Sequence, residues 1–203
     1  MTTRRLTFIA LAATLVVVGS SRVLTRAQGG AQLELLPEVP PHLVYIPMDV
    51  AERMLEVAGV TRNDVVYDLG CGDGRVAIMA AKKYGARGVG VDNDPGRIAE
   101  ARANAEREGV SHLVRFVQQD TIDLSEATVV TMTTPQSAVW LSLNGLLQPW
   151  LTRQLSAGAR IVTNFVAGSM KNWKPDQVDR FTDERGHARA ILYLWKHGGH
   201  VRS

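Results

Sequence analysis

The run Val65-Val66-Tyr67-Asp68-Leu69 is apolar apart from one acid, and it breaks at once into Gly70-Cys71-Gly72-Asp73-Gly74. A second apolar run, Arg87 to Val91, ends on Asp92. Short continuous apolar runs of this kind fit strands buried on both faces, as in a parallel sheet covered by helices. The glycines let backbone approach a ligand closely at the carboxyl end of the first strand. The acid one strand over is placed to take ribose hydroxyls. This pairing confines the chain to an α/β fold with a nucleoside-type ligand.

The rest of the pattern agrees. Pro47 to Val57 carries Val50, Met54 and Val57 on one stripe and reads as a helix stopped by Gly59. Strand one is Val65 to Leu69, followed by a helix over Arg75 to Tyr84. Strand two is Arg87 to Val91, with glycines that imply close backbone packing, and Asp94-Pro95 opens a helix running to Glu108. Leu113 to Val117, Ala127 to Met132 and Ala159 to Phe165 supply strands three to five. A helix falls within 137–155, with a break expected at Gly145 or Pro149. Five strands alternating with helices mark a Rossmann-like, doubly wound sheet with right-handed crossovers. Val178 to Thr182 and Ala188 to Trp195 are joined by a short polar turn with no helix between them, so the sheet ends on an antiparallel strand pair, seven strands in all.

A chain of 203 residues with 45% hydrophobic content fills one such domain. Of its 23 basic residues, Arg4, Arg5, Arg22 and Arg26 precede the first acidic one, Glu34. The remaining 19 face 20 acidic residues, so the body is about neutral and no nucleic-acid footprint is expected. The single cysteine, Cys71, permits no intramolecular disulfide and no cysteine-based metal site, and packing between loop glycines explains it as well as a reactive thiol does.

Residues 1–27 read as a hydrophobic leader. Two arginines precede Leu6 to Ser21, which carry no charge, and Thr25-Arg26-Ala27 offers a cleavage site. As a helix the uncharged stretch spans only about 24 Å, short of a hydrocarbon core. Cleaved signal, uncleaved membrane anchor and organelle-targeting leader are all open. Residues 28–46 form a proline- and glycine-rich linker and leading segment, 47–197 the folded domain, and 198–203 a flexible tail.

The loop itself narrows the ligand. A dinucleotide fingerprint needs a third glycine where this chain has Arg75, and Asp73 adds negative charge that repels phosphate while attracting a cationic, amino-acid-bearing ligand. Asp68-Leu69-Gly70-Cys71-Gly72-Asp73-Gly74, Asp92 and Gln119-Asp120-Thr121, with the terminal antiparallel pair, together resemble the class I, seven-β-strand S-adenosylmethionine-dependent methyltransferases. The match is closest to the small protein-lysine branch that includes the mitochondrial ATP synthase c-subunit enzyme and bacterial relatives. Tyr45-Ile46-Pro47, Trp173-Lys174-Pro175-Asp176 and Tyr193-Leu194-Trp195 carry that closer likeness.

The resemblance implies S-adenosyl-L-methionine as cofactor, held by Asp68, Gly70, Cys71, Gly72, Asp73, Gly74, Asp92, Asn93, Asp120 and Thr121, with no metal. It implies in-line methyl transfer to a protein lysine amine, or alternatively to a small molecule. A nucleoside-binding protein without activity is the reading from another class. Acceptor-channel candidates are Tyr45, Thr131, Thr133, Pro135, Asn164 and Trp173, and no catalytic base is expected. Thr131-Met132-Thr133-Thr134-Pro135 and Asn164 depart from the branch, which usually has an apolar run ending Leu-Pro and a histidine at these places. Each residue also has a plainer reading: Asp68 and Asp92 as loop or helix caps, Asp120 as a turn residue, Trp173 as core packing. His197 and His200 fall in the tail with no acidic partner nearby in sequence. Because the cofactor is cytosolic, the leader is expected to anchor or target the enzyme within the cell rather than export it.

Overall fold

A computed structural model describes residues 16–18, 22–24, 45–119, 123–133, 147–164 and 173–198. The chain divides into two units, Met1–Leu43 and Val44–Ser203. In the first, Val16–Val18 pairs antiparallel with Arg22–Leu24, Val16 opposite Leu24 and Val18 opposite Arg22. These leader residues are therefore extended rather than helical, in keeping with three consecutive β-branched valines. Among the described residues no helix is long and apolar enough to cross a membrane.

The second unit opens with α1, Met48–Ala58, which buries Val50, Ala51, Met54, Leu55 and Ala58 along one face. Pro47 caps it from outside, its carbonyl accepting from Val50 and Ala51 amides, and Gly59 ends it at φ 62°. There follow β1 Val65–Leu69, α2 Arg75–Tyr84, β2 Arg87–Asp92, α3 Pro95–Arg107, β3 Val114–Gln118 and β4 Val129–Met132. Then come α4 Leu147–Gln154, β5 Arg160–Thr163, β6 Gln177–Thr182 and β7 Ala188–Lys196. Pro149 lies in the first turn of α4 and does not break it, because an amide there has no intrahelical partner to lose. Gly145 and the start of the expected longer helix lie outside the described residues.

The sheet runs β3-β2-β1-β4-β5-β7-β6. The first five strands are parallel, and β7 is antiparallel to both β5 and β6. Each side of the sheet has its own apolar layer. α1 covers Val66, Val129, Val162, Leu192 and Leu194 on one face. Tyr67, Val130, Ile161 and Trp195 pack with Leu151 and Leu155 on the other. The glycines of β2 answer to packing: a Cβ at Gly88 would meet the Ala77 carbonyl at 2.9 Å, and one at Gly90 the Phe116 ring at 2.5 Å. At the amino end of the strands, buried Asp64 accepts from Thr128 Oγ1 at 2.7 Å and pairs with Arg160, joining β1, β4 and β5. The opposite, carboxyl end is thereby left to the glycine loop. It follows β1 where the strand order reverses, the place where open α/β sheets bind ligands.

Candidate active site

The glycine loop is shaped by its own backbone. Gly70 and Cys71 amides both donate to the Val91 carbonyl, at 2.8 and 3.0 Å, which docks the loop on β2. Gly72 has φ 55°, and a Cβ on it would lie 2.5 Å from the Tyr45 ring. Gly74, at φ 81°, opens α2 against Phe116. The Asn104 side chain donates to the Asp73 carbonyl at 2.9 Å and so ties the loop to α3.

Asp92 is buried at the end of β2, with Oδ2 accepting from the Gly72 amide and Oδ1 from the Asp94 amide, both at 3.0 Å. Its remaining lone pairs leave it able to accept hydroxyl donors. Asn93 beside it is exposed, and its carbonyl accepts from Gln118 at 3.4 Å. Asp120 and Thr121, the expected adenine-side residues, lie outside the described residues.

Asp73 departs from expectation. It does not offer free negative charge, because Arg75 grips it through Nε and Nη2, at 2.9 and 2.6 Å. The same guanidinium donates to the Ile46 carbonyl at 2.5 Å and stacks 4.8 Å from the Tyr45 ring centre. A planar fork two residues along the chain reaches a carboxylate from both nitrogens, so Arg75 acts as a strap between loop and leading segment. Cys71 is buried and its thiol is pushed up by that burial and by Asp68 and Asp92, the reverse of what a reactive thiol needs.

Asp68 is 1% exposed and lines the cleft beside Gly70, Gly72 and Thr133. Burial pushes its carboxyl up to about 7, against the opposing hydrogen bond from Thr131, with Asp73 and Asp92 adding to the rise. Among the described residues no cation contacts it: Arg75 is held by Asp73, and Arg97 stands 3.9 Å from Asp92. Three carboxylates converge on one loop, and the two guanidiniums beside them face Asp73 and Asp92, leaving Asp68 without a cation. The group that fits is a cation carried on a sugar-bearing ligand, which is the ammonium and ribose of S-adenosylmethionine.

The acceptor-side candidates scatter. Thr133 lines the cleft at the end of β4. Asn164 follows β5, with its Oδ1 out of solvent and without a donor among the described residues. Thr131 is not in a channel; it is 0% exposed and donates to Asp68 Oδ1 at 2.7 Å. Tyr45 lies over the cofactor loop, its hydroxyl 3.2 Å from Glu100, so it belongs to the cofactor side. The Trp173 ring lies tilted against that of Trp195, 5.7 Å between centres, and its carbonyl accepts from the Trp195 indole at 2.8 Å, so its contacts are those of core packing. Pro135 lies outside the described residues. Sequence reasoning missed Arg97 and Asn104. An asparagine on the alanine-rich buried face of α3 was the available signal for the second.

Comparison with known proteins bears on this geometry. The ANTKMT methyltransferase domain matches residues 68–177. The chain is 39% identical to a protein-lysine N-methyltransferase of Saccharolobus islandicus over 79% of its own length and 97% of that protein. It is 33% identical to the Xenopus laevis lysine N-methyltransferase named for the c-subunit of ATP synthase, over 67% of this chain and 58% of that one. Among solved structures, one described as an RNA methyltransferase from Salinibacter ruber, bound to S-adenosyl-L-homocysteine, superposes with a TM-score of 0.66 at 41% identity, covering 79% of this chain and 97% of that one. With Asp68 and Asp92 set for a cationic nucleoside, these likenesses establish that the chain belongs to the ANTKMT methyltransferase family and is an S-adenosylmethionine-dependent methyltransferase.

Proposed function

We propose that the enzyme methylates a lysine ε-amine of a protein. The observation that carries the reading is the near full-length match, 97% of its length, to a relative described as a protein-lysine N-methyltransferase. The cleft supports it, since its two lining guanidiniums are held by Asp73 and Asp92 and are not left to grip a phosphate backbone.

Bound S-adenosylmethionine supplies an electrophilic methyl on a sulfonium whose departure leaves a neutral thioether. The residues of the chain then bind and orient. Asp68 would hold the cofactor's ammonium and Asp92 its ribose hydroxyls. Arg75 fixes Asp73 and the Ile46 carbonyl, so the Tyr45 ring covers the loop and keeps water from it. Thr133 and Asn164, one residue past the last rung pairing Met132 with Thr163, stand side by side at the ends of β4 and β5. Their oxygens can accept N–H bonds, which suits an amine. Positioning of a neutral amine in line with the methyl supplies the rate, and desolvation helps strip its proton.

RNA is the second reading, favoured by the description of the Salinibacter ruber relative. Labelling a cell extract with tritiated-methyl cofactor and splitting it between protease and ribonuclease distinguishes the two. Acid-precipitable label that survives ribonuclease and yields methylated lysine on hydrolysis is expected; label removed by ribonuclease alone overturns the proposal. We further propose that the leader keeps the enzyme at a membrane, on the side where the cofactor is made. The uncharged stretch from Leu6 to Ser21 supports this, and recovery of full-length enzyme entirely in the soluble fraction would overturn it.

A further inference from the structure

Strand β4 reads Val129-Val130-Thr131-Met132, aliphatic but for one hydroxyl. Thr131 stands directly across the ladder from Asp68. Both side chains lie on the face that α1 covers, one step beyond the paired Val66 and Val129, with Val162 of β5 next to Thr131 in the same row. With the hydroxyl 2.7 Å from Oδ1, Thr131 is the sole hydrogen-bond donor to Asp68 among the described residues. A buried hydroxyl and a buried carboxylate would each be costly alone, and each is the other's partner.

The charges around Asp68 come from every side. Asp73 in the loop and Asp92 on β2 oppose its ionisation. The Cys71 thiol stays neutral, while Arg75 and Arg97 are spent on Asp73, Asp92 and the Tyr45 ring. Only Thr131 favours the ionised form. Its hydroxyl occupies Oδ1, and Asp68 lines the cleft with its other oxygen unbonded among the described residues.

We propose that Thr131 is a positioning residue which keeps Asp68 ionised and aimed at the cofactor's ammonium, making cofactor binding depend on pH near neutrality. This rests on Asp68 holding that ammonium. A hydrogen bond to an ionised oxygen moves its titration by about one to two pH units. Removing it moves the acid limb of cofactor affinity upward by that much.

The test is calorimetric titration of the full-length protein with S-adenosylmethionine, between about pH 5.5 and 9, for wild type, Thr131→Val and Thr131→Ser. Valine keeps the β-branched shape and serine keeps the hydroxyl. Thr131→Val is expected to bind about five- to fiftyfold more weakly at pH 7 and to come within about twofold of wild type by about pH 9, while Thr131→Ser follows wild type. The alkaline limb set by the cofactor's own amine is common to all three. Proton release on binding, read from buffers of different ionisation enthalpy, should rise from about half a proton at pH 7 in wild type to nearly one in Thr131→Val. If the valine variant does not fold, Thr131→Ala is measured in the same way. An unchanged acid limb overturns the proposal, and so does a loss of affinity that is equal at every pH, which marks a merely structural residue. Undiminished binding by Asp68→Asn at all pH values would instead overturn the reading of Asp68 itself.

Discussion

Replacing Asp68 by asparagine should stabilise the empty protein while abolishing its grip on the cofactor. The carboxyl titrates at about 7 when folded, against an ordinary 3.8. A raised folded value means that the native state binds the proton more tightly than the unfolded chain does. Stability therefore falls as pH rises from about 4 to 7, and the penalty of a buried charge is fully present above that window. At about 1.4 kcal/mol per pH unit the penalty is about 4 kcal/mol at most, and asparagine avoids it while its carbonyl still accepts from Thr131. For a domain of this size that corresponds to roughly 8–15 °C in melting temperature at pH 8 and almost nothing near pH 4. Thermal melts of wild type and variant across pH, with and without S-adenosylmethionine, provide the measurement. Wild type should gain more from cofactor at pH 8 than the variant does. An Asp68→Asn protein that melts lower than wild type at pH 8, or whose advantage is the same at pH 5 and pH 8, would refute the reasoning.

Asn104→Ala removes the bond that holds the Asp73 carbonyl and should weaken cofactor binding by about fivefold, roughly 1 kcal/mol, with little change in acceptor KM; calorimetry and steady-state kinetics check this. Gly90→Ala forces a Cβ against Phe116 at 2.5 Å and Cys71 Sγ at 2.8 Å, and chemical denaturation should show a loss of about 1–3 kcal/mol. Asn164→Leu should lower kcat/KM for a lysine peptide by about tenfold while leaving cofactor affinity unchanged, since the side chain lies past β5 with an oxygen unpartnered among the described residues; a matching loss of cofactor affinity would count against an acceptor role.

The fold was legible because its signals are local. Val65 to Leu69, the glycines after it and the Asp94-Pro95 cap need no knowledge of distant residues, and the helix-free tail announced the antiparallel pair. The cofactor-side candidates were read from the same segment. What was not legible depends on register. Thr131 reads as a channel residue until β1 and β4 are aligned, when it falls opposite an acid 63 positions earlier. Asp73 reads as free charge until the Arg75 fork is seen to fold back on it. Tyr45 precedes the first helix in sequence yet covers the glycine loop, a contact that no periodicity encodes.

The position of β7 has a consequence for how the molecule comes into being. The last strand to be synthesised lies between β5 and β6, and its Trp195, fully buried, completes one apolar layer. Until those residues leave the ribosome the sheet has an open edge and an unfilled core, so the domain cannot close during most of its own translation. A truncation that removes β7 therefore takes away the shared neighbour of β5 and β6 together with a core tryptophan, and costs the domain its closure rather than a tail.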